Sequence, residues 1–308
     1  MYDAVDEKQL HNTLERVCDS SRKYPSDGRH PSQLEPTALK FYRDSARDRL
    51  LVLSGIFAEL GYGRYMKPFN KDQYAGTNGL FTENNSDRIS TLVVAHHDYR
   101  GGEGMTDNGS GLAALAEIAR VIQGRRLKRN IAFASFDLEE ANLMGSEFFA
   151  ASLPKAAFKH LEQVICLDTV GYGTHTFIWR GARGRDADAE LVQRMEESAG
   201  SLDYTFPTVD LRKFSSDHVP FATRDVPTVA LMSMNLEKYA QHNGDTAKHW
   251  LEMFIHHTEH DTMEHYEPER LLEATRATVK FLMDLERKNA KAHSFPTQRS
   301  SVISYHSK

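Results

Sequence analysis

The sequence has little cysteine, with Cys18 and Cys166 lying far apart among 308 residues. Two such residues define neither a disulfide framework nor a zinc site built from cysteines. Long hydrophobic runs are also lacking, since no apolar stretch approaches the roughly 20 residues that cross a bilayer. Nor is there an excess of positive charge. The net charge of −5 and the pI of about 6.3 argue against nucleic acid or an anionic membrane as the main partner.

The overall composition is typical of a soluble globular protein, with 40% hydrophobic and 26% charged residues. Because no repeat and no Gly/Ser linker divides the chain, we expect one domain over residues 1–287 and a poorly ordered tail over residues 288–308. The first eight residues are polar and acidic, unlike a secretory signal. We therefore expect a cytoplasmic protein, or a secreted one if a signal has been removed. The oligomeric state is not readable from the sequence.

Apolar periodicity predicts strands alternating with helices. Residues 38–60 have a helical period that ends at G-Y-G, and T-L-V-V-A at residues 91–95 is typical of a strand buried on both faces. Further strands are predicted at residues 131–136, 164–167 and 226–232, and further helices at residues 109–123 and 145–153. The first 80 residues look helical, and residues 235–250 look like a polar insertion that forms a surface loop or a short helix. The alternation predicts an α/β sandwich, a three-layer α/β/α arrangement around a mixed, largely parallel sheet.

Five short segments carry imidazoles and carboxylates at points where apolar runs stop. They are A-H-H-D at 95–98, M-T-D-N-G-S-G at 105–111, F-D-L-E-E at 136–140, C-L-D-T-V-G-Y at 166–172 and H-H-T-E-H-D-T at 256–262. In α/β proteins, active-site residues lie at the ends of strands. Imidazoles and carboxylates are ligands of divalent metals such as zinc. The set therefore predicts a metallohydrolase.

Each segment is weak evidence by itself. His96 ends a strand, and Asp98 is spaced to accept its second ring N–H, although a capped strand end has the same pattern. Asp107 precedes a helix, where an N-cap or turn role is also natural. Two adjacent carboxylates on an extended segment point to opposite sides. If Glu139 and Glu140 are more than a solvated acidic turn, one can hold a metal while the other reaches the metal-bound water.

The last two segments leave similar alternatives open. Asp168 ends a strand in the same way as His96. His257 is one of six histidines between residues 242 and 265, and composition does not choose among them. His256 and His260 are four residues apart and could share a helix face without touching metal.

In their order and spacing, the segments resemble the co-catalytic zinc aminopeptidase family, which includes bacterial leucyl aminopeptidases and the related glutaminyl cyclases. That family reads A-H-x-D, G-A-D-D-N-x-S-G, F-x-x-E-E-x-G-L-x-G-S, N-x-D-M-V-G, S-D-H-x-P-F and H-T-x-x-D-T. The chain follows this pattern from residue 92 to residue 262, including S-D-H-V-P-F at residues 216–221. The resemblance implies the zinc exopeptidase fold for the catalytic domain over residues 1–287.

The resemblance also implies a centre of two Zn²⁺ ions. It implies that His96 and Asp168 hold one ion, that Glu140 and His257 hold the other, and that Asp107 bridges them. The H-T-x-x-D-T pattern selects His257 over its neighbour. Two dications close together lower the pKa of a bound water and stabilise the oxyanion.

Roles in catalysis and substrate binding follow from the same resemblance. Glu139 is implied to be the general base, and Asp98 the partner that orients the first histidine. Ser216, Asp217 and His218 are implied to contact the substrate, with Ser216 offering an oxygen to its amine. The pocket wall is expected to draw on residues 215–221 and 235–250.

Some positions depart from the family pattern. Thr106 replaces the first Asp of D-D-N, outside the ligand set. Many aminopeptidases place an oxyanion-stabilising tyrosine just before S-D-H, whereas this chain offers Arg212 and Lys213, which could serve electrostatically or form a solvated pair. Glutaminyl cyclases typically carry tryptophan before the last ligand histidine and in an insertion after E-E. Here His256 and the short A-N-L-M-G-S stand instead, which favours hydrolysis over cyclisation.

We therefore predict an aminopeptidase-like hydrolase that cleaves an N-terminal peptide bond or an amino-acid amide through a metal-activated water. One alternative is a glutaminyl cyclase-like acyltransferase with a single zinc, because such enzymes retain most of the same ligands. Another is a specialised small-molecule amidohydrolase. A catalytically inactive binding protein is disfavoured, since its signature would be the loss of Glu139 or of a ligand.

Overall fold

The computed structural model describes residues 2–24, 28–71, 74–83, 88–125, 127, 129–180, 186–209, 215–242 and 249–288. Within these ranges, eight strands form one sheet in the order β1-β2-β4-β3-β5-β8-β6-β7. They are β1 (Gly63–Lys71), β2 (Tyr74–Thr82), β3 (Thr91–His96), β4 (Ile131–Phe136), β5 (Gln163–Leu167), β6 (His175–Arg180), β7 (Thr208–Val209) and β8 (Thr228–Met234). The neighbours β4, β3, β5 and β8 run parallel, and antiparallel pairs flank them. The sheet is mixed with a parallel centre, as predicted.

Helices cover both faces of this sheet. They are α1 (Glu7–Ser21), α2 (Pro36–Glu59), α3 (Gly111–Ile122), α4 (Met144–Ser152), α5 (Lys155–His160), α6 (Asp186–Gly200), α7 (Val219–Ala222), α8 (Leu236–Gln241), α9 (Trp250–Met253) and α10 (Pro268–Lys288). Short 3₁₀ turns lie at Tyr2–Ala4, Pro31–Gln33 and Met263–His265. Successive residues of a strand face opposite sides. Accordingly, Val93 and Ala95 of β3 belong to one hydrophobic core, and Leu92 and Val94 to the other. The predicted α/β/α sandwich is confirmed.

Most predicted elements have counterparts in the structure. The helix predicted at residues 38–60 is α2, and those at 109–123 and 145–153 are α3 and α4. The strands predicted at residues 91–95, 131–136 and 164–167 are β3, β4 and β5. Every residue of these three strands is buried, as their continuous apolar runs indicate.

Several predictions about elements were wrong. The first 80 residues are not helical throughout, because β1 and β2 follow α2 and pair antiparallel at one edge of the sheet. Only Phe69 of β1 is buried, so β1 has no apolar alternation to reveal it. The strand predicted at residues 226–232 begins two residues later, after Pro227, whose ring nitrogen cannot donate a hydrogen bond. Strands β6 and β7 and helices α6 and α10 were not predicted.

Two predicted boundaries reach beyond the described part of the chain. Helix α10 runs to Lys288, and the tail predicted over residues 288–308 otherwise lies outside the described residues. The division into a domain and a tail therefore stays a prediction. The predicted insertion at residues 235–250 contains α8, whereas residues 243–248 lie outside the described residues. Within the described ranges, no helix combines the length and the apolar character of a membrane span.

Candidate metal centre

The predicted ligands meet where the carboxyl ends of the parallel strands β3, β4 and β5 share one edge of the sheet. His96 is the last residue of β3, and Asp168 directly follows β5. Asp107 comes from the irregular turn Met105–Ser110 before α3, where its backbone is non-helical and the peptide bond to the next residue is cis. His257 lies in the loop after α9. The topology thus gathers residues that are distant in sequence.

Asp107 lies between the two histidines. Its Oδ1 is 3.0 Å from His96 Nε2, and its Oδ2 is 3.0 Å from His257 Nε2. The turn that presents it is anchored by Asp261, which accepts the backbone N–H of Asp107 at 3.2 Å and that of Thr106 at 2.6 Å. A carboxylate that offers one oxygen to each of two imidazoles has the arrangement of a ligand shared by two ions.

The other two predicted carboxylate ligands lie on either side of Asp107, one near each histidine. Asp168 Oδ1 is 3.7 Å from His96 Nε2, and Glu140 Oε2 is 2.9 Å from His257 Nε2. Glu140 Oε1 is buried and has no hydrogen-bond partner among the described residues. Burial opposes charge on His257, yet Glu140 and Asp107 raise its pKa to about 10. The carboxylates therefore attract positive charge to both histidines.

His256 precedes the predicted ligand His257 and was an alternative ligand on composition alone. It also lies close to the centre. It is buried, and its ring centroid is 4.8 Å from that of His257. It offers a ligand nitrogen within 4.8 Å of a carboxylate oxygen of Asp107. Burial, reinforced by His257, lowers the pKa of His256 to about 3, so its ring is neutral. His257, which contacts both Asp107 and Glu140, remains the predicted ligand.

Asp98 holds several parts of the site in place. Its Oδ1 is 3.4 Å from His96 Nδ1, and its backbone carbonyl oxygen is 3.1 Å from the same nitrogen. The carboxylate also accepts the backbone N–H groups of Glu139 at 3.1 Å and Glu140 at 3.0 Å, and the hydroxyl of Tyr42. Burial tends to raise the pKa of Asp98, but its hydrogen bonds from His96 and Tyr42 outweigh this and lower it. Asp98 thus orients the segment that carries both glutamates.

Glu139 and Glu140 are not on an extended segment, which corrects the geometry expected from the sequence. Strand β4 ends at Phe136, and Leu138 has a positive φ of 58° that begins a turn. The two carboxylates nevertheless have different surroundings. Glu140 is buried against His257, whereas Glu139 is partly exposed and lines a cavity. Burial and nearby carboxylates, including that of Asp168, raise the pKa of Glu139 well above its usual value.

Arg100 is a member of the site that the sequence reasoning missed. Its Nε donates to Glu140 Oε2 at 2.7 Å, and its Nη2 is 2.8 Å from His257 Nδ1. It follows A-H-H-D by two residues, but a basic residue beside carboxylate ligands is part of no pattern in those segments. A permanent guanidinium charge therefore lies beside two predicted ligands.

A cavity of about 290 Å³ opens over the centre. Its polar lining, besides Arg100 and the predicted ligands, includes the residues His30, Asn142, Thr169, Ser215 and His256. Trp179, Met232 and Leu143 give it an apolar wall. The sequence reasoning did not find His30 or Trp179, since neither lies in one of the motif segments.

Ser216, Asp217 and His218, predicted to contact the substrate, are fully buried and are not among the residues that line this cavity. The His218 ring packs edge-on against Trp179, with centroids 4.7 Å apart, so it supports the wall from behind. Burial raises the pKa of Asp217 to about 7. The oxyanion candidates Arg212 and Lys213 lie outside the described residues.

Comparison with known proteins gives a family match and several relatives. Residues 79–282 match the family described as peptidase family M28. Aminopeptidase YwaD of Bacillus subtilis (strain 168) is 26% identical over 214 residues, which cover 69% of this chain and 44% of that protein. The chain spans less than half the length of the first curated relatives that it matches.

Solved structures resemble the chain over nearly its whole length. The glutaminyl cyclase of Porphyromonas gingivalis has a TM-score of 0.71 and 20% identity, covering 92% of this chain and 99% of that one. A Zn-dependent exopeptidase from Parabacteroides distasonis has a TM-score of 0.70 and 20% identity, covering 90% of this chain and 98% of that one. These likenesses confirm the predicted fold.

Proposed function

The chain belongs to peptidase family M28, whose match spans residues 79–282 of 308, and we propose that it is a zinc-dependent, aminopeptidase-like hydrolase. The observation that carries the proposal is the position of Asp107, with one carboxylate oxygen 3.0 Å from a ring nitrogen of His96 and the other 3.0 Å from one of His257. Relatives named as aminopeptidases support the same reaction class.

We assign two Zn²⁺ ions to the centre. His96 and Asp168 would hold one, Glu140 and His257 the other, and Asp107 would be shared. Imidazoles and carboxylates suit zinc, and the buried Glu140 Oε1, which lacks a hydrogen-bond partner among the described residues, offers a free ligand atom. When bound, such a pair of dications polarises a carbonyl group and makes water nucleophilic at neutral pH.

Glu139 is the proposed general base. It lines the cavity together with Asp107 and Asp168, and it is the more exposed of the two adjacent glutamates. As the water oxygen bonds to the substrate carbonyl carbon, the Glu139 carboxylate takes up the water proton. It then delivers this proton to the amine nitrogen as the C–N bond breaks. Asp98 fixes the backbone on which Glu139 is carried.

The proposed substrates are peptides or amino-acid amides with a free α-amino group. The carboxylates of Glu139 and Asp168 line the cavity and supply negative potential for an ammonium group. Trp179 and Met232 offer an apolar surface for the first side chain. The N-terminal residue would therefore lie between the acidic centre and the apolar wall.

A substrate panel tests this proposal. The zinc-loaded protein should release the amine from a free aminoacyl amide and act poorly on its N-acetylated form. An N-terminal glutaminyl peptide should be hydrolysed. Equal rates on the blocked substrate would favour a small-molecule amidohydrolase, and a pyroglutamyl product without net hydrolysis would favour a cyclase-like acyltransferase.

A further inference from the structure

A second group of metal-ligand side chains lies outside the cavity, at the facing ends of α8 and α9. His242 directly follows α8, His249 directly precedes α9, and Glu252 lies within α9. We call these three residues the α8–α9 cluster. None of them lines the cavity over the predicted catalytic centre.

The ligand atoms of the α8–α9 cluster converge. Glu252 Oε2 is 3.0 Å from His242 Nε2, and Glu252 Oε1 is 2.9 Å from His249 Nδ1. The three residues each offer a ligand atom within 4.8 Å of the others. Ligands about 2.0–2.2 Å from a tetrahedral zinc are about 3.3–3.6 Å apart, which is close to the two N···O distances of the α8–α9 cluster.

The two rings stack nearly parallel, with an interplanar angle of 6° and centroids 3.5 Å apart. Because the lone pair of an imidazole nitrogen lies in the plane of its ring, two parallel planes at this distance cannot both contain one ion. One ring must therefore turn out of the stack before both nitrogens can bind the same dication, with the carboxylate of Glu252 as the third ligand.

An ion at this position would steady the wall of the catalytic cavity. Helix α9 ends at Met253, three residues before His256. The backbone N–H of Asn235 donates to the Met253 carbonyl at 3.0 Å, which ties the start of α8 to the end of α9. An ion bound by both His242 and His249 would tie the end of α8 to the start of α9, the helix that leads to His256.

We propose that His242, His249 and Glu252 form a peripheral structural site for a divalent transition-metal ion such as Zn²⁺, with water completing the coordination. Two imidazoles favour zinc and similar metals over Ca²⁺ or Mg²⁺, which prefer all-oxygen sites. Lys238 Nζ lies 3.6 Å from Glu252 Oε2 and is the cation that competes for this carboxylate. The site stands independently of the reaction at the catalytic centre.

The test counts zinc in full-length protein whose catalytic centre is disabled by Asp107→Asn together with His96→Ala. Metal-free protein is mixed with Zn²⁺ alone, desalted and analysed for bound metal. Adding His242→Ala and His249→Ala should remove one further equivalent. The same pair in the otherwise unchanged chain should also lower the content by one equivalent, which covers a failure of the disabled chain to fold.

Two variants serve as controls. His11→Ala removes an exposed imidazole that lies 3.6 Å from one carboxylate, Glu15, and it should leave the zinc content unchanged. Lys238→Met removes the competing cation and should bind zinc at least as tightly as the unchanged chain. Zn²⁺ should raise the thermal midpoint of the disabled protein only while the α8–α9 cluster is intact. Equal zinc content with and without His242 and His249, or an equal rise with Mg²⁺, would overturn the proposal.

Discussion

Arg100 donates toward the outer nitrogen of His257, with 2.8 Å between its Nη2 and the ring Nδ1. A guanidinium has donors only, so this contact is a hydrogen bond only when the His257 ring is neutral, with its lone pair at Nδ1 and its proton on Nε2. In the protonated ring, which Glu140 and Asp107 favour, Nδ1 carries a proton that faces the guanidinium. If His257 held a metal ion through its other ring nitrogen, a neutral ring would carry its proton on Nδ1, where it would oppose the guanidinium donors. Arg100 must therefore leave His257 before that histidine can hold an ion.

Replacing Arg100 should strengthen the second metal site. In Arg100→Gln, the competing contacts with Glu140 and His257 are removed, and the second zinc equivalent should bind about tenfold or more tightly, the scale of one charged hydrogen bond. Competition with a chelator of known affinity measures this. Arg224→Gln, which breaks a contact with Glu147 that lies outside the cavity lining, is the matched control. Weaker zinc binding in Arg100→Gln would show that the arginine supports the site.

The two adjacent glutamates should separate in their effects. Glu139→Gln keeps the side-chain size but cannot take up a proton, so kcat should fall on the order of 10²–10⁴-fold while zinc content is retained. Glu140→Ala removes a predicted ligand and should lower zinc content itself. Metal analysis and steady-state kinetics on both proteins check this. If the two variants behave alike in both assays, the division of roles is wrong.

Asp217 should make the metal-free protein less stable as pH rises. Its folded pKa of about 7 lies above its usual 3.8, mainly because of burial. Below pH 3.8 the carboxyl is protonated in both states. As pH rises from 3.8 to 7, the unfolded chain ionises where the folded protein does not, so the free energy of unfolding falls over that window.

Asp217→Asn should flatten this part of the stability curve, measured by denaturant unfolding at several pH values. The exposed Asp203→Asn should keep the fall. Because Asp217 is buried behind the cavity, KM of the zinc-loaded variant should change little. A large rise in KM with an unchanged stability curve would instead show that Asp217 contacts the substrate directly, as the sequence resemblance implies.

The elements that could be predicted from the sequence are those in which buried positions form a regular or continuous apolar pattern. Strands β3, β4 and β5 are buried on both faces, and the sequence of each is a nearly continuous apolar run. Strand β1 exposes nearly all of its side chains at the sheet edge, so its position depends on pairing with β2 rather than on its own composition. Tertiary pairing of this kind leaves no local pattern.

In the candidate site, too, the residues that lie in local sequence motifs could be predicted, whereas those placed by tertiary packing could not. The motif segments led to His96, Asp107 and His257, which the fold brings into contact at the strand ends. Arg100 was missed because its position beside the ligands depends on how its loop folds. The S-D-H motif could not tell whether Ser216 reaches the cavity, because side-chain direction in a loop is set by packing.

The most direct test is a zinc titration of metal-free protein that carries His242→Ala and His249→Ala, so that only the catalytic centre is counted. Hydrolysis of a free aminoacyl amide and bound zinc are followed together. We expect no activity without metal and a maximum as bound zinc approaches two equivalents. Full activity in metal-free protein, or at a firm plateau of one equivalent, would contradict the two-ion centre around Asp107.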